Sequence, residues 1–370
     1  MGRGDFMNTK FLTQEALAKL LDEWYREIKK QNVDMATKLR EEVVGYVKNN
    51  KLSETSQFHY HLISFRHQVL TDGIHIGQDS FDKINEFPVP SDNVLSYYYH
   101  LFKAIYCTFL LNIKEAHYHF DEASYLLESI SDELEKAEFY YRTAVLYHHN
   151  NQSMLAIKNT LKAKEIYEQY PGNELNIASC ENAFASTCVL LQQFEQAEES
   201  YNTAINILQK ANKSDLVLRI RNNLGWLYAS QNLSELAIRH LSEVSESIPH
   251  HFKAIFLQAR EYYKLNELTT AETFIEKGSS ICQQLGNEEY KWHFAILKAL
   301  TSGASIEETE EVVSLGITYF EKESLWEYVN EYSEMLAVKY YSVENHLKAS
   351  HYFFKAHEAK KELDKKGALQ

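Results

Sequence analysis

A spacing constrains this chain more than any other feature. In residues 221–249, RNNLGWLYASQNLSELAIRHLSEVSESIP, Leu224 and Gly225 are followed by Tyr228, then by Ala237, Leu241 and Pro249. Small residues at 225 and 237 let two antiparallel helices approach closely, and Leu224, Tyr228 and Leu241 fill the space around the contact. Alanines recur in the place of Ala237 at 116, 156, 197, 271 and 349, so that neighbouring members stand 40, 41, 40, 34 and 78 residues apart. The last gap leaves room for one degenerate unit, expected in helices around 292–300 and 306–320. Six matches in register specify an array, because a hairpin of this kind cannot bury its apolar face without stacked neighbours.

The pattern is that of the tetratricopeptide repeat. It predicts an all-α chain: a leader over 1–12, a three-helix bundle over 13–70, a linker over 71–94, and a right-handed superhelix of about seven hairpins over 95–370. MGRGDF ahead of Met7 reads as an added remnant and is set aside. Twelve glycines and four prolines against 25 tyrosines and 19 phenylalanines favour long packed helices over turn-rich sheet. In the bundle, helices are expected at 14–31, with Thr13 as N-cap and Leu17, Leu20, Leu21, Trp24 and Ile28 inward; at 34–48, with Ala36, Leu39, Val43 and Val44 inward; and at 53–70, with Phe58, Leu62, Phe65 and Val69 inward. The linker holds two of the glycines and two of the prolines, and its length permits the bundle to move.

A formal net charge of −14 argues against general affinity for nucleic acid or anionic membrane. The second bundle helix mixes Lys38, Arg40 and Lys48 with Asp34, Glu41 and Glu42, which is no surface for DNA phosphates. No apolar run reaches the roughly 18 residues a membrane span needs. Cys107, Cys180, Cys188 and Cys282 lie far apart without CxxC spacing, as in a reducing compartment, so a cytoplasmic location is expected. The paired histidines at 59–61, 117–119, 148–149 and 250–251 sit one or two apart, do not share a helix face and make poor chelates. HExxH, GxxxxGK[ST] and GxSxG are all missing, and neither metal nor cofactor is expected.

A stack of such hairpins offers a concave groove lined by the first helix of each, suited to an extended peptide or a helix. Its facing positions are read as Glu138, Tyr141, Arg142, Asn182, Arg219, Asn222, Asn223, Trp226, Lys253, Phe256 and Arg260, a polar and partly basic strip in an acidic protein. Asn223 is the leading candidate, since an amide can satisfy both an N–H and a C=O of a bound backbone.

Several stretches, in this order and spacing, resemble the Rap family of Bacillus-type bacteria, the response regulator aspartate phosphatases and their non-enzymatic relatives. They are KLLDEWYREIKK and VDMATKLREEV near the start, FHYHLISFRH ending the third helix, LSYYYHLFKAIY opening the array, and DELEKAEFYYRTAVLY at 132–147. The resemblance implies that bundle and linker grip a response regulator or transcriptional regulator, while the array binds a short re-imported signalling peptide of the Phr type that pulls the bundle off its target. The family's FRH motif stands as Phe65, Arg66 and His67, which makes Phe65 a target-contact candidate beside Glu54, Gln57 and Phe58, although Phe65 also falls on the apolar face of its helix. Phosphatase members carry, eleven residues before that Phe, a glutamine that orients water for attack on an aspartyl phosphate. Glu54 stands there, and a carboxylate repels a phosphoryl group where a neutral amide donates and accepts; Gln57, one turn on, is the possible substitute. The family's peptide-clamping Asn matches Asn223, whereas a second clamp, an Asp, falls near Val189 and Leu190 and is lost, with Glu138 as a candidate replacement. The expectation is a non-enzymatic, peptide-regulated inhibitor, with a phosphorelay aspartyl-phosphate phosphatase and a peptide-independent scaffold as alternatives.

Overall fold

The computed structural model describes residues 14–368, and the elements it contains there are all helices. They fall into two compact units, divided between residues 187 and 188. Among the described residues no helix is long and apolar enough to cross a membrane.

The first unit opens with α1 (Gln14–Lys29), α2 (Val33–Asn49) and α3 (Glu54–Asp72). Leu17, Leu21, Trp24, Ile28, Ala36, Leu39, Val43, Phe58, Leu62 and Phe65 are buried, as their helical spacing demands, while Leu20, Val44 and Val69 are only partly covered. The Asn32 side chain caps α2 by accepting from the Met35 N–H, and Ser53 caps α3 by accepting from the Ser56 N–H. Thr13, the expected cap of α1, lies outside the described residues.

Residues 71–94 are more ordered than a composition-based linker. They hold a 3₁₀ turn (Gly73–His75) and the one-turn α4 (Asp82–Asn85). Phe81 and Ile84 are buried, and the Phe81 ring lies 5.1 Å from Phe65 and 5.2 Å from Tyr106, centroid to centroid. The reason is apolar spacing: Phe81, Ile84 and Phe87 recur every third residue and pack on α3 and on α5 (Asn93–Phe109). One continuous core therefore runs from Leu17 through this segment to Leu146, and the boundary between compact units falls at 187/188 instead of here.

From α5 onward fourteen helices follow, the order expected of seven hairpins: α6 (Ile113–Leu127), α7 (Glu133–His149), α8 (Ser153–Gln169), α9 (Glu174–Leu190), α10 (Phe194–Lys210), α11 (Ser214–Ser230), α12 (Ser234–Ser247), α13 (Phe252–Lys264), α14 (Leu268–Leu285), α15 (Glu288–Thr301), α16 (Ile306–Lys322), α17 (Trp326–Ser342) and α18 (His346–Ala368). Each repeat alanine is the fourth residue of its helix and is buried. The degenerate unit becomes legible: Thr309, fourth in α16, occupies the alanine position.

The close approach inferred at Gly225 is real. A Cβ there would lie 2.5 Å from Leu241 Cγ. Two of the tyrosines nine residues before a repeat alanine reach back 30 residues to an acid of the preceding hairpin: the Tyr228 hydroxyl donates to Glu198 at 2.8 Å and that of Tyr340 to Glu310 at 2.6 Å. The tight turns manage with few glycines because Leu111, Asn151, Gln192, Asn212, Asn232, Asn266, Ser324 and Glu344 adopt positive φ. Asparagine, the commonest of these, tolerates that conformation best after glycine.

Candidate functional site

Two groups of candidate residues emerge, one in each unit. In the first, α1 and α3 are fastened to α7 by buried charges. Arg66, on the inward face of α3, donates from Nη2 to Glu138 Oε1 at 2.7 Å, and Arg142 donates from Nε to the same oxygen at 2.8 Å. The Tyr167 hydroxyl reaches the other carboxylate oxygen at 3.3 Å. Beside this chain, Lys29 of α1 contacts Glu135 at 2.6 Å and Asp132 at 2.7 Å, and Tyr25 donates to Glu135 at 3.2 Å. Farther along, Gln31 donates to Asn176 at 2.7 Å and Ser179 at 3.0 Å, while Asn176 donates back to the Lys29 carbonyl at 2.9 Å.

The electrostatics follow from that geometry. Burial alone would raise the Glu138 pKa, but Arg142 and Arg66 outweigh it and hold the carboxyl at about 2. Burial raises Glu135 despite Lys29. It lowers Arg66, to which Arg142 adds like-charge repulsion. Glu138 thus stays ionised between two cations, one on the bundle and one on the array.

In the second unit, α11 and α13 bring Trp226 and Arg260 together, with the guanidinium 5.2 Å from the indole ring. Arg260 also lies 3.6 Å from Glu331 and 3.4 Å from Glu261. Arg219 and Lys253 are exposed, the latter 5.7 Å from the Tyr290 ring. The Asn222 Oδ1 is buried without a hydrogen-bond partner, and Asn223 beside it is half-buried and engaged.

Not every residue proposed from sequence is accessible. Phe58 and Phe65 belong to the core of the first unit, against Phe87 and Tyr99 and against Phe81 and Tyr106. Phe256 is packed among Tyr290, His293 and Phe294. Glu138, offered as a substitute acidic clamp, is 3% exposed and consumed by its arginines. Tyr141 is half-buried 5.3 Å from the Arg142 guanidinium, and Asn182 is half-buried and engaged. Glu54 is exposed as the first residue of α3, and the Gln57 amide donates to the Leu52 carbonyl at 3.1 Å.

Sequence reasoning missed Lys29, Arg66 and Glu135. Arg66 carried a signal: it falls in register with Phe58 and Leu62 on an apolar stripe, and a charge so placed needs a partner.

The chain is similar to known proteins over nearly its whole length. The model described as response regulator aspartate phosphatase H, N terminal, matches residues 11–72, and a tetratricopeptide repeat model matches residues 181–247. The chain is 24% identical over 375 residues to regulatory protein RapF of Bacillus subtilis (strain 168), covering 95% of this chain and 96% of that protein. It is 24% identical over 379 residues to response regulator aspartate phosphatase I of the same organism, covering 99% and 96%. Among solved structures, a Rap protein complexed with competence and sporulation factor superposes with a TM-score of 0.80 at 21% identity, covering 96% of this chain and all of that one.

Proposed function

The chain belongs to the Rap family, and on that premise we propose that it is a peptide-controlled regulator which binds a response regulator or another transcriptional regulator through its amino-terminal bundle. The observation that supports this most is the chain Arg66, Glu138, Arg142. It fastens the bundle helix that carries the target-contact candidate to a helix of the repeat array, with the Phe65 ring turned inward. On this reading a short peptide, gripped by Asn223 and the α11 and α13 face, favours the docked bundle, and the target favours its release. Peptide and target then weaken each other's binding by equal factors. The likeness to a Rap protein complexed with a signalling factor motivates the peptide.

A phosphatase reading is kept because the chain resembles response regulator aspartate phosphatase I. Glu54 and Gln57 speak against it: the first is a carboxylate, and the amide of the second is occupied by its own helix start. The deciding experiment mixes the protein with a phosphorylated response regulator. A sequestering protein alters the regulator's mobility on DNA and leaves phosphate loss at its spontaneous rate; accelerated loss that vanishes in Gln57→Ala would overturn the proposal. Peptide control is tested by Asn223→Ala, which should keep target binding while abolishing its displacement by peptide; displacement that persists undiminished would move the peptide site elsewhere.

A further inference from the structure

Between α2, α3 and the 73–84 segment of the first unit lies a cavity of about 680 Å³, and none of the peptide candidates is among the residues that line it. Its size is that of small-molecule pockets. Two cations, Arg40 from α2 and Lys83 from α4, stand in its wall, and neither has an ion-pair partner among the described residues. His67 is 5% exposed and built for one role: its Nδ1 accepts from the Trp24 indole at 3.2 Å, so the neutral ring carries its proton on Nε2, a donor left to the cavity. Burial keeps the His67 and His61 rings neutral; Arg40 acts in the same sense at His67, and at His61 Lys83 does so against an opposing Glu86. Among the described residues no three His, Cys, Asp or Glu side chains are disposed to hold a metal. Of the two acids in the lining, Asp72 faces His75 Nδ1 at 2.5 Å, and Asp79 sits in the turn before α4.

We propose that this cavity binds a small, multiply charged oxyanion, a phosphorylated or polycarboxylate metabolite, held by Arg40, Lys83 and the His67 Nε2–H. Phosphoryl and carboxylate oxygens share the chemistry these donors recognise, because charge-assisted hydrogen bonds to ionised oxygen are the strong ones. Such a ligand would bridge α2 and α3 to the segment that follows them. It would favour the arrangement in which Phe81 covers Phe65, and so give the regulator a metabolic input separate from its peptide.

The test is calorimetry and thermal unfolding of the full chain with pyrophosphate and with citrate, each against sodium chloride at matched ionic strength. Binding of either probe with an increase in Tm is expected, and the probe that binds assigns phosphoryl or carboxylate. Arg40→Ala and Lys83→Ala, both at exposed positions, should each weaken binding about tenfold. Asp79→Asn, which removes a repelling charge from an exposed site, should tighten it. Absence of binding by both probes, or binding left unchanged in the Arg40→Ala/Lys83→Ala double variant, would overturn the proposal.

Discussion

Glu138→Gln tests the junction between bundle and array most directly. The amide keeps the shape of the carboxylate and removes its charge, leaving Arg66, 2% exposed and stacked over Phe102, beside Arg142 without an anion between them. The magnitude comes from two directions. Holding Glu138 at about 2 against an ordinary 4.5 corresponds to about 3 kcal/mol at 1.36 kcal/mol per unit. Breaking a buried ion pair by removing one partner costs about 3–5 kcal/mol, chiefly through the charge left behind. We expect a loss of about 3 kcal/mol at pH 7, equivalent to more than a hundredfold faster amide exchange in α3 if the bundle opens as a unit. Hydrogen exchange read by mass spectrometry over α1–α3, with Trp24 fluorescence as a second probe, measures it; Trp24 is the single tryptophan of the first unit. The pH dependence has a definite sign. A carboxyl held below its unfolded value stabilises above about pH 4.5 and loses that contribution as pH falls toward 2, so the gap between wild type and variant should narrow below pH 4.5. A gap under about 0.5 kcal/mol at pH 7, within the range of ordinary surface substitutions, would refute the reasoning.

Four further outcomes follow from local geometry. Gly225→Ala puts a Cβ 2.5 Å from Leu241 Cγ and should cost about 1–3 kcal/mol in unfolding experiments, whereas Gly45→Ala in α2, with nothing within 4 Å, should stabilise by about 0.5–1 kcal/mol. Leu111→Gly relieves a φ of 55° at an exposed turn and should raise stability by about 1 kcal/mol, seen as a higher Tm. His293, 2% exposed among aromatic rings, is held neutral at about 3 by burial and then Arg260; its contribution is intact above about pH 6.5 and fades toward pH 3, by up to about 5 kcal/mol, so the acid sensitivity of the second unit should shrink in His293→Phe.

Most of the architecture was legible in sequence because it is written in local spacing. Ala237 and its counterparts fix helix pairing, and the bundle helices lie within two residues of the expected ends at every terminus. Thr309 escaped because a threonine methyl fills the same space as alanine without matching its name. The segment 71–94 was read through its glycines and prolines, which describe backbone freedom; the buried Phe81 and Ile84 depend on what α3 and α5 present to them. The candidate site was less legible for a related reason. Whether Glu138 faces solvent or Arg66 is decided by residues 72 positions apart, and no period in the sequence encodes that pairing.

The ionic character of the junction bears on the proposed control. Buried ion pairs add little net stability over apolar residues of similar volume, since desolvation offsets much of their attraction. Their advantage lies in the separated state: Arg66 and Glu138 exposed to water are ordinary surface groups, whereas methionine or leucine at both positions would leave an apolar patch on each partner. A junction meant to open is therefore better made of charges than of hydrocarbon. The Arg66→Met/Glu138→Met/Arg142→Met triple variant, which leaves neither cation of the cluster without its anion, separates the two properties. It should recover most of the stability lost in Glu138→Gln yet hold the bundle docked, so that target binding weakens even without peptide. Full target binding by that variant would show that release of the bundle does not pass through this pair.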